Sequence, residues 1–286
     1  MVSVVIPAYN AEDYIRETLD SVLTQSYQNI EIIIVNDGST DSTELILQEF
    51  AKAYKQIKYF NQSNSGVSEA RNHAISKATG SYIALLDADD VWYQNNLEEK
   101  INIFENYSEI DWVFSGMDFL LDGDRTGKAP RGIQGEFLDL ILLWESEVVP
   151  GPCSNIVFRR KCYDEGIFFD RRFSTAADQD FTIQLAARYK GYYINKPLWK
   201  YRVLEQSMSR NISIMEKDHI GVYQKAKRLG LFRSFWFKQR CFSNLYLILA
   251  GSWWKNGNDK LKGLYFILKA LLYYPLNIKK LIVKFF

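Results

Sequence analysis

The chain has 286 residues, of which 47% are hydrophobic, and its formal net charge is +1. This length fits one large α/β domain with a smaller appendage, and the near-neutral charge gives no support for a nucleic-acid-binding protein. The three cysteines are odd in number and lack Cys-x-x-Cys spacing, so neither a disulfide framework nor a zinc site is indicated. No apolar run predicts a membrane-spanning helix, and no signal peptide is evident before the first strand, which favours a cytoplasmic protein.

Charge is divided unevenly along the chain. Residues 219–286 contain thirteen lysines and arginines and a single acidic residue, Asp259, whereas residues 1–218 contain 22 basic and 33 acidic residues. This asymmetry indicates two regions with different roles. We place the boundary between them at residue 212.

In the first hundred residues, short apolar runs alternate with segments of helical periodicity. Strands are predicted at Val2–Pro7, Ile30–Val35, Ile57–Phe60 and Ser81–Leu86. Helices are predicted from Glu12 to Leu23, from the turn at Asp41 to about Tyr54, and after Asn64, with Ser65 or Ser68 as the cap. This alternation predicts a mostly parallel central sheet flanked by helices, with right-handed crossovers. The polar turns that follow the strands should therefore converge on one face of the sheet.

Beyond Asp90 the pattern is less regular. Helices are predicted at Gln94–Tyr107, Gly135–Glu145, Phe181–Tyr189, Ser234–Leu249 and Lys260–Tyr274, and strands at Asp111–Phe114, Asn155–Phe158 and, at a sheet edge, Lys196–Arg202. The remaining segments are predicted as a hairpin or loop at Asp122–Gly127, a loop at Phe173–Asp180 and a polar loop at Glu205–Asn211.

Three carboxylates follow the strand Ser81–Leu86 directly: Asp87, Asp89 and Asp90. The carboxyl ends of such strands lie at the sheet edge where open α/β folds bind ligands. In an extended segment Asp87 and Asp89 project to one side while Ala88 points away, so the two carboxylates can share one magnesium or manganese ion. Water and substrate phosphates usually complete the coordination of such an ion. Considered alone, an Asp-x-Asp motif is more often a solvated acidic turn, and it is the segments preceding this one that favour a functional site.

Two further residues each have a functional and a structural interpretation. Asp37 either caps the following helix, with Gly38 in a left-handed conformation, or accepts a hydrogen bond from a base or ribose. Arg71 is either a bidentate phosphate clamp or the ion-pair partner of Glu69 or Asp89. No Gly-x-Gly-x-x-Gly motif and no Gly-Lys-Ser/Thr loop occurs, which disfavours a dinucleotide enzyme and a Walker-type triphosphatase.

A general base is best sought among the carboxylates, because the chain has only two histidines and a Ser-His-Asp triad has little support. Asp178 and Asp180 are the candidates. Both could instead cap the helix that follows them.

Taken together, the motifs resemble the family 2 inverting glycosyltransferases, which have the A-type fold for binding nucleotide-diphospho-sugars. The matching segments are Val4–Asn10, Glu12, Ser21–Gln25, Val35–Asp41, Gly66, Ala70–Asn72 and Leu86–Asp90. They cover about the first hundred residues in order and at the expected spacing. Beyond residue 110 the resemblance is limited to Ala177-Asp178 and Tyr201-Arg202 with Ser207 and Ser209.

The resemblance implies a role for each matching residue. Pro7, Ala8 and Tyr9 would line the nucleobase pocket, and Glu12 and Asp37 would hydrogen-bond the ribose or base. Arg71 would contact the nucleotide, Asp87 and Ala88 would lie by the ribose and donor sugar, and Asp89 would bind the manganese or magnesium ion. Asp178 would deprotonate the acceptor hydroxyl. The catalytic domain would then span residues 1–211, with the nucleotide sugar bound by residues 1–110 and the acceptor by residues 111–211.

Two departures from the family pattern affect these roles. Ala177 stands where the family often has glutamate, so a hydrogen-bonding partner of the base is missing. Leu204 stands where the family often has histidine, which removes a further metal or phosphate contact. Asp180 remains a possible substitute base.

The resemblance implies inverting transfer of a sugar, with a uridine diphosphate sugar as the expected donor and a polysaccharide or lipid-linked oligosaccharide as the acceptor. Two alternatives are a non-catalytic homologue that binds nucleotide sugar or membrane, and a sugar-nucleotidyltransferase. The second would need a glycine-rich, basic triphosphate loop, which Ala8–Glu12 is not. The region 212–286 is either a helical cap with a solvated basic face or a peripheral contact with the anionic inner leaflet of the cytoplasmic membrane.

Overall fold

Four parallel strands form the amino-terminal half of the central sheet. They are β1 (Val2–Ala8), β2 (Ile30–Asn36), β3 (Ile57–Asn61) and β4 (Tyr82–Leu85), in the order β3-β2-β1-β4. Every residue of β1 and β2 is buried, as expected for strands covered on both faces. Ala8 pairs with Asn36, and Val5 pairs with Leu85. This register brings the turns after β1, β2 and β4 to the same edge of the sheet.

The computed structural model describes residues 1–121, 125–128, 135–204 and 211–278, without the side chains of residues 121 and 125–128. Within these ranges the sheet has nine strands. The other five are β5 (Val91–Trp92), β6 (Trp112–Leu121), β7 (Arg125–Lys128), β8 (Val157–Arg159) and β9 (Gly191–Arg202). The order continues β4-β8-β6-β9-β5, with β7 beside β6.

This second half makes the sheet mixed. β8 runs antiparallel to both β4 and β6, whereas β9 runs parallel to β6 and antiparallel to β5. The prediction that Lys196–Arg202 is an edge strand is therefore wrong, because β9 lies between β6 and β5. Pro197 is accommodated opposite Gly116, at an irregularity in the β6–β9 register.

Helices cover both faces of the sheet and continue beyond it. They are α1 (Ile15–Leu23), α2 (Thr43–Ala53), α3 (Val67–Lys77), α4 (Asn96–Asn106), α5 (Phe137–Leu143), α6 (Pro152–Asn155), α7 (Arg160–Asp164), α8 (Ala177–Arg188), α9 (Ile212–Arg228), α10 (Phe235–Lys255) and α11 (Lys260–Tyr273), followed by a 3-10 turn at Pro275–Asn277. The predicted α/β fold is thus confirmed. None of the helices in the ranges given above has the length and apolarity needed to cross a membrane.

Two helix starts differ from the prediction. The N-cap of α3 is Gly66, with φ of 88°, rather than Ser65 or Ser68, and Ser68 Oγ instead donates to the carbonyl oxygen of Phe173 at 2.8 Å. α8 begins at Ala177, after the N-cap Ala176. Asp178 and Asp180 consequently lie inside the first turn of α8, and neither is its cap.

The alternation of side chains along the strands separates two hydrophobic layers. Val4 and Ile6 belong to the layer under α1, α2 and α4, whereas Val5 belongs to the layer under α3, α5 and α8. The second layer continues into the carboxyl-terminal helices through Tyr223 of α9 and Leu245 of α10. The described part of the carboxyl-terminal region, residues 212–278, therefore packs on the same core as the sheet.

Candidate active site

The turn after β4 carries the three clustered carboxylates, and one of them has a structural role. Asp90 is buried, its Oδ2 accepts a hydrogen bond from Ser154 Oγ at 2.5 Å, and its Oδ1 accepts one from the Arg202 backbone N–H at 2.9 Å. Ser154 Oγ also accepts from the Asp87 backbone N–H at 3.1 Å. Asp90 thus ties the turn to α6 and β9, which leaves Asp87 and Asp89 as the carboxylates available for a ligand.

The surroundings of Asp89 disfavour its charged form. Burial, followed by the charge on Asp87, raises the pKa of Asp89 to about 6, against opposing contributions from Arg202 and Arg71. Among the described side chains, no group of three or more His, Cys, Asp or Glu residues is arranged to hold a metal. A pair of carboxylates is nevertheless enough for magnesium or manganese when phosphates and water complete the shell. The crowding of Asp87 and Asp89 fits such an ion, because a cation would relieve their repulsion.

Ala88, between the two carboxylates, faces the opposite way. Its side chain is buried in the same hydrophobic layer as Ala8 and Leu19, and its carbonyl oxygen accepts from Thr18 Oγ1 at 2.9 Å. The predicted extended conformation of this segment is nevertheless wrong, because Ala88 and Asp89 lie in a turn in which the Asp90 N–H donates to the Asp87 carbonyl oxygen at 3.3 Å. Only the backbone of Ala88 remains for contact with a donor.

Arg71, in α3, reaches the same turn. Its Nη2 donates to Asp87 Oδ1 at 2.6 Å, its side chain is only 7% exposed, and its guanidinium carbon lies 5.1 Å from the centre of the Phe169 ring. The predicted ion-pair partners, Glu69 and Asp89, are both wrong: Glu69 pairs with Arg171. The buried Nε of Arg71 has no hydrogen-bond partner among the residues of the ranges given above.

Asp178 approaches this cluster from α8. Burial raises the pKa of Asp178, the backbone N–H of Gln179 lowers it by donating to Oδ1 at 2.7 Å, and the charges of Arg71 and Asp87 act in opposite directions. Asp178 therefore lies within electrostatic range of Arg71 and of Asp87 in the turn after β4. A carboxylate with a raised pKa at a cavity wall is suited to general-base catalysis.

Asp180, the alternative base, is engaged elsewhere. Its Oδ2 accepts from Lys225 Nζ of α9 at 2.7 Å and from Gln184 Nε2 at 2.7 Å, and its side chain is almost fully buried. Asp180 therefore joins α8 to α9 through an ion pair, which favours Asp178 as the base.

The turns after β1 and β2 are bound to each other. Asn10, with φ of 47°, accepts a hydrogen bond at its Oδ1 from the Thr40 N–H at 2.8 Å, and Glu12 Oε2 accepts one from the Ser42 N–H at 2.8 Å. Pro7 and Ala8 are buried at the end of β1. Tyr9 is 51% exposed beside them and could stack on a base.

Asp37 holds the chain that enters α3. Its Oδ1 accepts from Gln62 Nε2 and from the Ser65 N–H, both at 2.8 Å, and its Oδ2 accepts from the Gly66 N–H at 2.9 Å. The prediction that Asp37 caps the following helix is wrong, because the N-cap of α2 is Ser42. The predicted left-handed conformation of Gly38 is confirmed, with φ of 72°.

Arg202, at the end of β9, also contacts the β4 turn. Its Nε donates to the carbonyl oxygen of Asp89 at 2.8 Å, its Nη2 pairs with Glu17, and its guanidinium carbon lies 5.0 Å from the centre of the Tyr14 ring. The resemblance at Tyr201-Arg202 thus falls on a residue of the site. Ser207, Ser209 and most of the predicted polar loop lie outside the described residues.

A cavity of about 430 Å³ opens beside Asp178. Residues of β6, α5, the loop before α6, α8, β9 and α9 line it, among them Trp144, Glu147, Gln179, Tyr201 and His219. Except for Tyr201, these residues have no role predicted from the sequence, because they come from segments without a motif. The only available signal was that His219 is one of two histidines in the chain.

The amino-acid sequence matches a known family and several curated proteins. Residues 3–167 match the family model described as glycosyl transferase family 2. In sequence, the chain is 32% identical over 239 residues to the putative teichuronic acid biosynthesis glycosyltransferase TuaG of Bacillus subtilis, an alignment that covers 82% of this chain and 92% of TuaG. Other curated relatives are much longer, and the chain spans about a third of the length of two of them.

Two solved structures share the fold. TarS 1-349 from S. aureus in complex with UDP-GlcNAc superimposes with a TM-score of 0.62 at 18% identity, covering 96% of this chain and 92% of that one. The mannosyltransferase PcManGT from Pyrobaculum calidifontis, in complex with GDP-Man and Mn2+, gives a TM-score of 0.65 at 16% identity, covering 100% of this chain and 80% of that one.

Proposed function

This chain belongs to glycosyl transferase family 2, and we propose that it moves one sugar from a uridine diphosphate sugar to a hydroxyl group of a polysaccharide or lipid-linked oligosaccharide, with inversion at the anomeric carbon. The observation that carries this proposal is the approach of Asp178 to Asp87 and Arg71, which brings a candidate base to the edge of the sheet where the donor would bind.

In the proposed reaction Asp178 takes the proton of the acceptor hydroxyl as its oxygen attacks the anomeric carbon. The bond from that carbon to the nucleoside diphosphate breaks on the opposite face, which inverts the configuration. Arg71 lowers the pKa of Asp178 and holds Asp87 in place. Asp89, assisted by Asp87, would hold a manganese or magnesium ion, which when bound stabilises negative charge on the departing diphosphate.

The chemical class of the substrates rests on relatives and neighbours. TarS was solved with UDP-GlcNAc, and PcManGT with GDP-Man and Mn2+, which supports a nucleotide-diphospho-sugar donor and a divalent metal here. The name of TuaG refers to teichuronic acid biosynthesis, which supports a polymeric cell-envelope glycan as acceptor. Uridine as the nucleoside of the donor rests on the family resemblance found in the sequence.

Calorimetric titration of the purified chain with several nucleoside diphosphates, in manganese and in chelator, tests this proposal. We expect uridine diphosphate to bind only with metal and the binding to be lost in Asp89→Ala. Asp164→Ala, at an exposed carboxylate on α7, is the matched control and should bind normally. If no nucleotide binds in either condition, the proposal fails and the non-catalytic homologue gains support.

The proposal includes a membrane contact through α11. Leu261, Leu264, Leu268 and Leu272 recur at helical spacing and are exposed, the first and last to 83%. The opposite side of α11, with Phe266 and Ala270, is buried against the core. Two lysines of the same region, Lys255 and Lys260, are also exposed.

An apolar helix face accompanied by lysines is complementary to an anionic bilayer surface. Flotation with vesicles of phosphatidylglycerol or phosphatidylcholine tests this contact: the chain should float with the anionic vesicles at low salt. Leu268→Glu should abolish flotation, while Leu45→Glu, at an exposed position on α2, should not. Retention of the unmodified chain in the soluble fraction would refute the membrane contact without affecting the transferase proposal.

A further inference from the structure

One wall of the 430 Å³ cavity is built from three side chains that belong to different parts of the chain. Trp144 follows α5, Gln179 lies in the first turn of α8, and His219 comes from α9. The Trp144 and His219 rings lie 4.7 Å apart, centre to centre, and His219 Nδ1 is 2.8 Å from Gln179 Oε1. The wall is therefore a connected unit of two rings and an amide.

The backbone of Trp144 is in an unusual conformation. Its φ and ψ are 46° and 43°, the left-handed region that a large side chain rarely adopts. Such outliers are maintained where the surroundings enforce them, often at ligand sites. Here the strained turn places the indole ring on the cavity wall beside His219.

His219 fixes the amide of Gln179. Burial lowers the pKa of His219 to about 4, so the ring is neutral at physiological pH. With Nδ1 donating its proton to Gln179 Oε1, the Gln179 amide nitrogen still has both of its protons to donate. In the described part of the chain, this nitrogen has no hydrogen-bond partner, and Gln179 lines the cavity.

The cavity lies on the acceptor side of Asp178. All lining residues fall between Met117 and His219, and none of the residues assigned to the nucleotide sugar is among them. Two carboxylates, Asp178 and Glu147, face the cavity, and its described lining contains no lysine or arginine. The volume is within the range of about 300–1,000 Å³ typical of small-molecule sites.

From these features we infer that the cavity binds one uncharged pyranose ring of the acceptor, stacked on Trp144 and hydrogen-bonded by the Gln179 amide, and that it selects against anionic sugars. A pyranose has an apolar C–H face for an aromatic ring and hydroxyl groups around its edge for an amide. A uronate carboxylate would be repelled by Asp178 and Glu147. His219 is a positioning residue, which makes the carboxyl-terminal region part of the acceptor site. This inference rests on the proposed transferase function.

Saturation-transfer NMR tests the inference on the full chain with uridine diphosphate and manganese. The probes are the methyl glycosides of glucose, N-acetylglucosamine and glucuronic acid. We expect the two neutral glycosides to bind and the glucuronide to bind at least about tenfold more weakly. Trp144→Leu and Gln179→Ala should each weaken the neutral glycosides by about tenfold, whereas Trp236→Leu, at an exposed tryptophan of α10, should have no effect.

His219 provides a sharper comparison, because its ring and its hydrogen bond can be removed separately. His219→Phe keeps a ring beside Trp144 but loses the bond to Gln179, so glycoside binding should weaken. His219→Asn can keep a donor near the Nδ1 position and should retain more binding than His219→Phe. Nucleotide binding, measured on the same samples, should stay within about twofold and reports that each variant is folded.

The outcomes separate this inference from the proposed function. Absence of nucleotide binding would refute the transferase proposal. Normal nucleotide binding with no glycoside signal, with equal binding of the glucuronide, or with no effect of Trp144→Leu would overturn the inference alone. Displacement of the glycosides by a nucleotide sugar, but not by the nucleotide, would assign the cavity to the donor sugar and also overturn it.

Discussion

The guanidinium of Arg71 and the carboxylate of Asp87 form an ion pair with a separation of 2.6 Å, which joins α3 to the turn after β4. Burial is the largest influence and lowers the pKa of Arg71, but the charge of Asp87, the hydrogen bond to Asp87 and other nearby groups, including Asp178, together raise it. Arg71 is thus a permanent positive charge among Asp87, Asp89 and Asp178. Its influence on these carboxylates can be measured.

Replacement of Arg71 by glutamine should change the pH dependence of turnover. The charge on Arg71 lowers the pKa of Asp178, so its removal should raise that pKa further. A base acts when deprotonated, and the acidic limb of the kcat profile should therefore move to higher pH. Arg171→Gln, at the exposed arginine that pairs with Glu69, should leave the profile in place. A lower kcat with an unmoved limb would restrict Arg71 to nucleotide binding.

Asp178→Asn should lower kcat by a factor of about 10² to 10⁴, because the base is lost, while nucleotide affinity measured by calorimetry stays nearly unchanged. Asp180→Asn should show the reverse pattern. It weakens the buried pair with Lys225 and should reduce the free energy of unfolding by about 1–3 kcal/mol, with turnover largely retained. If Asp180→Asn instead abolishes turnover in a folded protein, Asp180 is the base.

Asp89→Asn should make the metal-free protein more stable at neutral pH. The folded-state pKa of Asp89, about 6, is above the usual value for an unfolded chain. Its ionisation therefore lowers the free energy of unfolding as the pH rises from about 4 to about 6, and asparagine removes this cost. We expect a gain of about 1 kcal/mol, or roughly 2–4 °C in melting temperature.

In the presence of manganese, the unmodified chain should become more stable than Asp89→Asn. The metal should raise the melting temperature of the unmodified chain, because binding to the folded state stabilises it, and leave Asp89→Asn unchanged. The exposed-site variant Asp164→Asn should respond to manganese as the unmodified chain does. An equal response of Asp89→Asn would place the metal elsewhere.

The family and the convergence of the polar turns at the strand ends could be predicted because the relevant signals are local. Asp37, Asp87 and Asp89 each lie within a few residues of a buried strand, and the sheet itself brings those strand ends together. The match to glycosyl transferase family 2 confirms the family.

The cavity wall formed by Trp144, Gln179 and His219 could not be predicted in the same way. Its contacts join residues far apart in sequence, such as Gln179 with His219, and no short-range pattern indicates them. Similarly, β9 was predicted at an edge because its neighbour, β5, has only two residues and gives no recognisable strand signal. The early start of α8 at Ala177 was missed because Ala176 is an atypical N-cap.

Asp37 has two roles that can be tested separately. The sequence suggests that its carboxylate binds the nucleotide, and the structure shows that the same carboxylate holds the segment before α3. It accepts three hydrogen bonds from the segment that leads into α3, the helix that carries Arg71. Asp37→Ala leaves two backbone N–H groups without their acceptor and should lower the free energy of unfolding by about 2 kcal/mol.

Gln62→Ala separates the two roles, since it leaves the Asp37 carboxylate in place and removes one of its three bonds, together with the bond between Gln62 Oε1 and His73 Nδ1. It should reduce stability by about 1 kcal/mol, whereas nucleotide affinity should change by less than about twofold if Asp37 itself contacts the ligand. Asp37→Ala should then weaken nucleotide binding by about tenfold or more. Calorimetry and thermal unfolding on both variants decide between the roles. If affinity falls in proportion to stability in the two proteins, Asp37 acts only by positioning α3, and its contact with the nucleotide is refuted.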